Sequence, residues 1–148
     1  MDIALRWRST EEEVAPDHLR DIRQRRVAGV EERGTYDTGA YADELARAMD
    51  NHEIGTACHF ENDHVRVWEV RLEPGERGAF HVHDRTYFWT VVEPGRALQR
   101  FPDGTFVVRD YAPGETRYLQ HSRDNALVHD LENVGATTMR FVTVELKL

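Results

Sequence analysis

From residue 56 to its end, the sequence consists of short segments that alternate between apolar and polar residues and are separated by turn signals. Residues 65–72 alternate in this way, Pro102-Asp103-Gly104 is a strong hairpin signal, and residues 139–148 are rich in strand-favouring residues. Because side chains alternate across a strand, one face of each segment can be buried. Many short strands with turns about 8 to 12 residues apart predict an all-β sandwich or barrel.

The pattern before residue 56 is different. Residues 9–13 are typical of a helix start, with acidic side chains near the positive end of the helix dipole, and residues 40–49 place apolar side chains near helical spacing. These helices have too little apolar surface to fold alone. We therefore predict a short helical N-terminal extension at 1–55, packed on the barrel exterior or on a partner subunit, followed by the β domain at 56–148.

Two histidines follow a glycine-marked turn, in the order Gly75, His81, Val82, His83. On a strand this spacing puts both rings on one face, with their bases roughly 6.6 Å apart. Imidazole is the commonest neutral metal ligand, so the pair is a candidate for binding one ion. The alternative is two half-exposed histidines on a polar strand face.

A third histidine, His129, shares a strand face with Leu127 and Leu131. A histidine among leucines needs partners for its ring nitrogens, and either a metal ion or a buried hydrogen bond supplies one. If the sheet folds His129 over His81 and His83, the three histidines leave coordination positions open, which is typical of a reactive site.

These residues resemble the cupin superfamily. Its first motif reads G(X)5HXH(X)3-4E(X)6G and its second ends in H(X)3N, and six motif positions are matched here: Gly75, His81, His83, Gly95, His129 and Asn133. The resemblance covers roughly residues 56–148 and is to small bacterial single-domain cupins. It implies the cupin double-stranded β-helix, a jelly-roll barrel, with a metal site formed by His81, His83 and His129.

The glutamate of the first motif is missing. Position 87 or 88 should carry it, and Tyr87 and Phe88 stand there instead. A divalent ion held by three neutral imidazoles keeps its full charge, which favours anionic, chelating substrates. One of the two aromatic residues must fill the space of the glutamate; Tyr87 would bring a phenol able to hydrogen-bond a substrate, although an aromatic packed in the barrel wall is the alternative.

Further candidate site residues are polar side chains on the predicted strands. His121 is a candidate proton shuttle or a support for the metal ligands, with exposure at the rim as the alternative. Tyr87 and His121 are therefore the predicted catalytic residues. Among the arginines Arg66, Arg71 and Arg117, one that turned inward would anchor a carboxylate with two hydrogen bonds.

An imidazole-only site suits iron, zinc, copper or nickel, and ligand type does not choose among them. The resemblance favours Fe(II), since cupins that hold iron through three histidines include thiol dioxygenases and diketone-cleaving dioxygenases; Zn, Ni, Mn or Cu are the alternatives. The predicted function is an Fe(II)-dependent dioxygenase acting on a small anionic or chelating metabolite. A non-redox lyase, isomerase or cyclase and a small-ligand binding protein without catalysis stay open.

Composition excludes several other classes. The net charge of −8 argues against a nucleic-acid partner, and the basic residues 23–26 are flanked by glutamates. No apolar run approaches the roughly 18 residues that cross a membrane, and no signal-peptide core is present, so we predict a cytoplasmic protein. A single cysteine, Cys58, excludes an internal disulfide and is predicted to be a buried strand residue. We also predict a homodimer that pairs through sheet edges.

Overall fold

The computed structural model describes residues 31–148, and these residues form ten strands, one α-helix and two 3-10 helices. The helical elements are the 3-10 helices Thr38–Tyr41 and Ala48–Asp50, with α1 (Ala42–Arg47) between them. The strands are β1 (Glu32–Thr35), β2 (Ala57–Glu61), β3 (Val65–Leu72), β4 (Arg77–His83), β5 (Tyr87–Glu93), β6 (Gly95–Arg100), β7 (Thr105–Tyr111), β8 (Thr116–Leu119), β9 (Leu127–Asn133) and β10 (Met139–Leu146).

The strands form two five-stranded sheets in which all pairs are antiparallel. Strand order is β1-β7-β6-β9-β4 in sheet A and β2-β3-β10-β5-β8 in sheet B. Neighbours in each sheet are mostly distant in sequence, as the jelly-roll topology requires. The predicted all-β fold class is therefore confirmed.

The core lies between the two sheets. Ala97 and Tyr111 of sheet A pack against Val91, Met139 and Phe141 of sheet B, and all five side chains are buried. The rings of Tyr111 and Phe141 are 5.2 Å apart in an edge-to-face arrangement, which is a favourable geometry for aromatic pairs. Tyr111 and Phe141 also line the cavity between the sheets, so this core continues directly into the region that carries the histidines.

The predicted turns fall where the sequence placed them. Gly75 and Gly104 have positive φ angles of 85° and 87°, a conformation that glycine adopts without steric cost. Gly104 closes the hairpin between β6 and β7, and Gly75 closes the turn that leads into β4. The turn at Gly75 therefore sets where β4 begins, and with it the positions of the two histidines on that strand.

The segment before β2 covers the outer face of β4. Tyr41 packs edge to face on Phe80 with ring centres 5.7 Å apart, and Glu44 of α1 accepts hydrogen bonds from the Phe80 amide at 2.6 Å and from the Arg77 guanidinium at 2.6 and 3.0 Å. Phe80 and Val82 are consequently 1% exposed although they lie on the face opposite the histidines. The outer face of β4, the strand that carries two of the candidate ligands, is therefore covered by this segment.

The N-terminal prediction is met in part. The helix predicted at residues 40–49 is confirmed, whereas β1 (Glu32–Thr35) is a strand that pairs with β7 and was not predicted. The helix start at residues 9–13 and the basic cluster at 23–26 lie outside the described residues. The division into 1–55 and 56–148 stays a prediction, and β1 gives the first of these segments a place in sheet A.

Two further observations concern the composition arguments. The prediction that Cys58 is buried is wrong, because β2 is an edge strand and its thiol is exposed. Within residues 31–148, no helix has the length and apolar character needed to cross a membrane.

Candidate metal centre

Two neighbouring strands of sheet A bring the three predicted histidines together. In the pairing of β4 with β9, His81 lies directly opposite His129, and His83 lies opposite Leu127. The pairing register shifts between Gly78 and His81, as happens where one strand carries an extra residue and its side chains are redirected. All three histidine rings face the interior of the barrel.

The three Nε2 atoms converge on one point. His83 Nε2 is 3.0 Å from His81 Nε2 and 3.0 Å from His129 Nε2, and the three rings cross nearly at right angles. The ligand atoms of all three lie within 4.8 Å of one another. Since metal–imidazole bonds are about 2.0–2.1 Å long, an ion fits at the centre of such a group.

Hydrogen bonds on the far side of two rings fix which nitrogen carries the proton. His81 Nδ1 donates to the carbonyl oxygen of Ala79 at 2.8 Å, and His129 Nδ1 donates to Oε1 of Gln99 at 2.8 Å. A neutral imidazole has one N–H, so both Nε2 atoms present lone pairs to the centre of the cluster. Outer hydrogen bonds of this kind are typical of metal-ligating histidines.

His83 cannot satisfy its two neighbours without an additional group. A proton on His83 Nε2 could be donated to His81 or to His129 but not to both, so the Nε2 lone pair of the other ring would lack a donor at 3.0 Å. His83 Nδ1 is also buried without a hydrogen-bond partner in the described part of the chain. A cation at the centre removes this conflict by accepting all three lone pairs, so the residues fit a divalent ion.

Burial also keeps the three rings neutral. Burial lowers the pKa of His81. Burial also lowers the pKa of His83 well below its usual value, and the nearby rings of His129, His81 and His121 add to this effect. The pKa of His129 is lowered well below its usual value mainly by burial. Neutral imidazoles are the form that binds metal, so the site is ready to bind an ion at neutral pH.

A hydrogen-bonded chain leads away from His129 into the core. Gln99 of β6 accepts from His129, and its amide donates to the Tyr111 hydroxyl at 2.5 Å. The Arg109 guanidinium lies 4.2 Å from the Tyr111 ring centre and pairs with the buried carboxylate of Glu115. Sequence reasoning missed Gln99, because a polar residue on a strand gives no signal of what lies opposite it in space.

Tyr87, and not Phe88, occupies the space of the missing glutamate. Its side chain is 3% exposed, and its ring stacks on His83 with centres 4.1 Å apart and planes 13° from parallel. Burial raises the pKa of the Tyr87 phenol far above its usual value, so the hydroxyl keeps its proton at neutral pH. The sequence left two roles for Tyr87, a hydrogen-bond donor to a substrate and an aromatic packed in the barrel wall. Both are compatible with this placement, because the side chain packs in the wall and also lines the cavity.

His121 lies outside the three-histidine cluster. Its ring stacks on the other side of the site wall, 5.9 Å from the Tyr87 ring centre, and its Nδ1 donates to the carbonyl oxygen of Asn125 at 3.0 Å. It is half-buried and does not line the cavity that contains His81, His83 and His129. His121 is therefore not one of the candidate ligands, and its role as a proton shuttle or as a support for the ligands stays a prediction.

The cluster opens into a cavity of about 240 Å³ between the two sheets. Its wall is mostly apolar and includes Trp89, Leu119 and Leu131. Of the three arginines considered from the sequence, Arg117 lines this cavity, whereas Arg66 pairs with Glu61 and Arg71 pairs with Glu73. The site thus combines a candidate metal position, a mostly apolar wall and Arg117, an arginine that lines the cavity and is exposed to solvent.

Comparison with solved structures identifies the fold. The structure is similar to a cupin domain from Bordetella pertussis Tohama I, with a TM-score of 0.55 and 25% sequence identity over 62% of this chain and 91% of that one. It is also similar to a double-stranded β-helix protein from Klebsiella pneumoniae subsp. pneumoniae MGH 78578, with a TM-score of 0.50 and 22% identity over 70% of this chain and 86% of that one. No protein-family model and no curated protein matches the sequence. The predicted cupin fold is confirmed.

Proposed function

We propose that this chain, which has the fold of the cupin domain proteins, is a metal-dependent enzyme that acts on a small anionic or chelating metabolite. The observation that carries the proposal is the convergence of three neutral Nε2 atoms, from His81, His83 and His129, inside a cavity. Structural histidines satisfy their nitrogens within the protein, whereas these three direct unshared lone pairs at one another.

The ligand set decides what kind of chemistry is favoured. A bound divalent ion would supply an undiminished double charge that attracts and polarises a chelating substrate and, as Fe(II), electrons for a reaction with oxygen. The three histidines hold the position, and three protein ligands leave room for the substrate. The protonated Tyr87 hydroxyl lines the same cavity and is able to donate a hydrogen bond to a substrate oxygen.

We place an Fe(II)-dependent dioxygenase first among the reactions. Imidazole-only ligation is compatible with iron, and the mostly apolar cavity wall suits an organic substrate bound beside the metal position. The test is metal analysis of protein purified without chelators, then anaerobic reconstitution with Fe(II) and oxygen-uptake assays with a panel of chelating acids. Oxygen uptake that depends on both iron and an acid is expected, and a zinc-loaded protein that stays inert to oxygen after reconstitution would contradict the dioxygenase.

A non-redox lyase, isomerase or cyclase is the second candidate, and Tyr87 favours it. A phenol that keeps its proton beside the candidate metal position suits the role of hydrogen-bond donor to the oxygen of a polarised carbonyl. Turnover of a carbonyl substrate by the zinc-loaded protein under argon would support this reaction class. Loss of that turnover in Tyr87→Phe, with the metal retained, would assign the hydrogen bond to Tyr87.

Oligomeric state and location belong to the same proposal. We propose a cytoplasmic homodimer that binds neither nucleic acid nor membrane, on the charge and sheet-edge arguments from the sequence. Analytical ultracentrifugation of the full chain at micromolar concentration should give the mass of a dimer. A monomer would remove the dimer from the proposal and leave the metal site unaffected.

A further inference from the structure

We infer that Arg117 binds a single carboxylate of the substrate, at the opposite end from the atoms that reach the histidines. The inference deepens the proposed function and rests on it for the position of the reacting atoms. It assigns a substrate class: a monocarboxylate with an apolar middle and a chelating group a few bonds from the carboxylate.

The first step is the position of Arg117 on its strand. In the pairing of β5 with β8, Arg117 lies opposite Trp89, and the next inward-facing pair is Tyr87 with Leu119. All four residues line the cavity. Since residues two apart on a strand are separated by roughly 6.6 Å, Arg117 stands about one such step from Tyr87, which stacks on His83.

The second step is the charge balance of the cavity wall. Besides the neutral histidines and tyrosines, the ionisable side chains in the wall are Glu53, Arg109 and Arg117. Arg109 is neutralised, because its Nη2 atom is 2.8 and 2.6 Å from the two carboxylate oxygens of Glu115 and both side chains are buried. Arg117 forms no ion pair with any residue in 31–148, and neither does Glu53.

Among residues 31–148, Arg117 is therefore the cationic side chain of the cavity wall that has no ion-pair partner, and it is also exposed to solvent. Its planar guanidinium offers two parallel N–H donors that match the two oxygens of a carboxylate. Glu53 in the same wall disfavours a second negative group, which is why one carboxylate fits better than two. Trp89 lies beside the arginine, and the Tyr87 ring and Leu119 lie between it and the histidines, so the middle of the substrate should be mostly apolar.

A suitable probe carries a chelating diketone and a carboxylate that are separated by two methylene groups. The probe is 4,6-dioxoheptanoate, and its methyl ester has nearly the same shape without the charge. The protein is loaded with zinc, which is redox-inert, and calorimetric titration gives the two affinities. In the wild-type chain the acid should bind about 10- to 100-fold more tightly than the ester, as for a charge-assisted hydrogen-bonded pair.

Arg117→Gln should abolish this preference by weakening the acid about 10- to 100-fold, with little change for the ester and no change in zinc content. Arg117→Lys keeps the charge but loses the paired donors. Its affinity for the acid should lie between those of the wild-type chain and of Arg117→Gln. Arg123→Gln is the matched control, because it removes a positive charge from an exposed residue that does not line this cavity. Glu53→Gln removes the opposite charge and should leave acid binding equal or tighter.

Equal affinity of the wild-type chain for acid and ester, or unchanged acid binding in Arg117→Gln, would overturn the assignment. Failure of the metal proposal shows separately, as a wild-type chain that retains no zinc. In that case the acid and ester are titrated into the metal-free protein, where the preference for the acid must still depend on Arg117. Loss of binding in Arg123→Gln as large as that in Arg117→Gln would show a general charge effect and also overturn the assignment.

Discussion

Two consecutive residues of β9, His129 and Asp130, face opposite sides of the same sheet and belong to two differently built polar clusters. Asp130 is 0% exposed and accepts hydrogen bonds from Arg77 Nε at 2.6 Å, from the Arg100 backbone amide at 2.7 Å and from Arg100 Nη1 at 2.9 Å. His129 belongs to a cluster in which His83 Nδ1 has no partner and Nε2 lone pairs meet at 3.0 Å.

The difference separates a structural cluster from a functional one. Around Asp130, opposite charges and donors within the chain compensate the cost of burial, and the cluster ties β4, β6, β9 and α1 together through Arg77, Arg100 and Glu44. Around His129, the chain leaves the centre of the cluster uncompensated. Groups that a protein buries and does not satisfy are where an external partner is expected, and the partner that we propose here is a cation.

The largest expected effect on binding comes from removing a histidine. His129→Ala should abolish metal binding almost completely, as should His81→Ala and His83→Ala, because two protein ligands hold a divalent ion too weakly. Metal content after dialysis measures this. His121→Ala is the control, since it lies outside the cluster and should keep the metal. An empty His121→Ala with a loaded His129→Ala would place the site elsewhere.

The reverse pattern is expected at Asp130. Asp130→Ala leaves Arg77 paired with Glu44 alone and Arg100 paired with Glu132 alone, and should lower the free energy of unfolding by about 3 kcal/mol. Chemical denaturation of the metal-free protein measures this loss. Asp110→Ala removes a carboxylate from an exposed ion pair with Arg96 and should change stability little. A loss at Asp130 no larger than that at Asp110 would contradict the structural role.

A smaller effect is expected from Gln99, which connects the histidine cluster to the core. Gln99→Leu removes the acceptor that fixes the His129 tautomer and should weaken metal binding by about 10- to 100-fold without emptying the site. Competition with a chelator of known affinity gives the change. The opposite ordering, a stronger effect for Gln99→Leu than for His129→Ala, would mean that His129 is not a ligand.

The smallest effect is a difference in pH dependence between the two clusters. The folded state lowers the pKa of His83 and His129 below the ordinary 6.5, so below that pH the unfolded chain binds protons that the folded chain does not. Stability of the metal-free protein should therefore fall as the pH drops below about 6.5. Substituting His83 by Ala should flatten this part of the curve, as measured by thermal unfolding between pH 5 and 8.

The contribution of the Asp130 cluster to stability should change only at lower pH. Burial alone would raise the pKa of Glu44, but hydrogen bonds from Arg77 and from the Phe80 amide outweigh it and lower that pKa below the ordinary 4.5. The stabilisation is present above that pH and is lost as the pH falls further. A stability curve of the metal-free protein that is flat down to pH 5 would contradict the difference between the clusters.

Some of these features were readable from the sequence because they depend on local periodicity. The alternation in residues 65–72 predicts β3, and the glycine turns predict where β4 and β7 begin. The face shared by Leu127, His129 and Leu131 follows from the period of two, and all three line the cavity. The two histidine motifs depend on that same period, which is why the candidate ligands were predictable.

Other features depended on which distant segments meet. The sequence left Tyr87 and Phe88 as alternatives, and the pairing of β5 with β8 and β10 turned Tyr87 inward. Its placement of Cys58 in the interior was wrong, because whether a strand lies at a sheet edge is a property of the sheet. Gln99 and Glu115 gave no sequence signal, and the sequence did not choose Arg117 among three candidate arginines, since the residues around each of them lie on other strands.

The sequence by itself therefore determined the strand content, the turns and the three histidines on inward faces, because side-chain alternation and glycine conformations are properties of the local chain. Only the tertiary structure decided that His129 lies opposite His81, that Gln99 orients it, and that Arg117 is open to the cavity while Arg109 is neutralised. The physical reason is that these facts are distances and charge balances between segments far apart in the chain, and the packing of two sheets sets them.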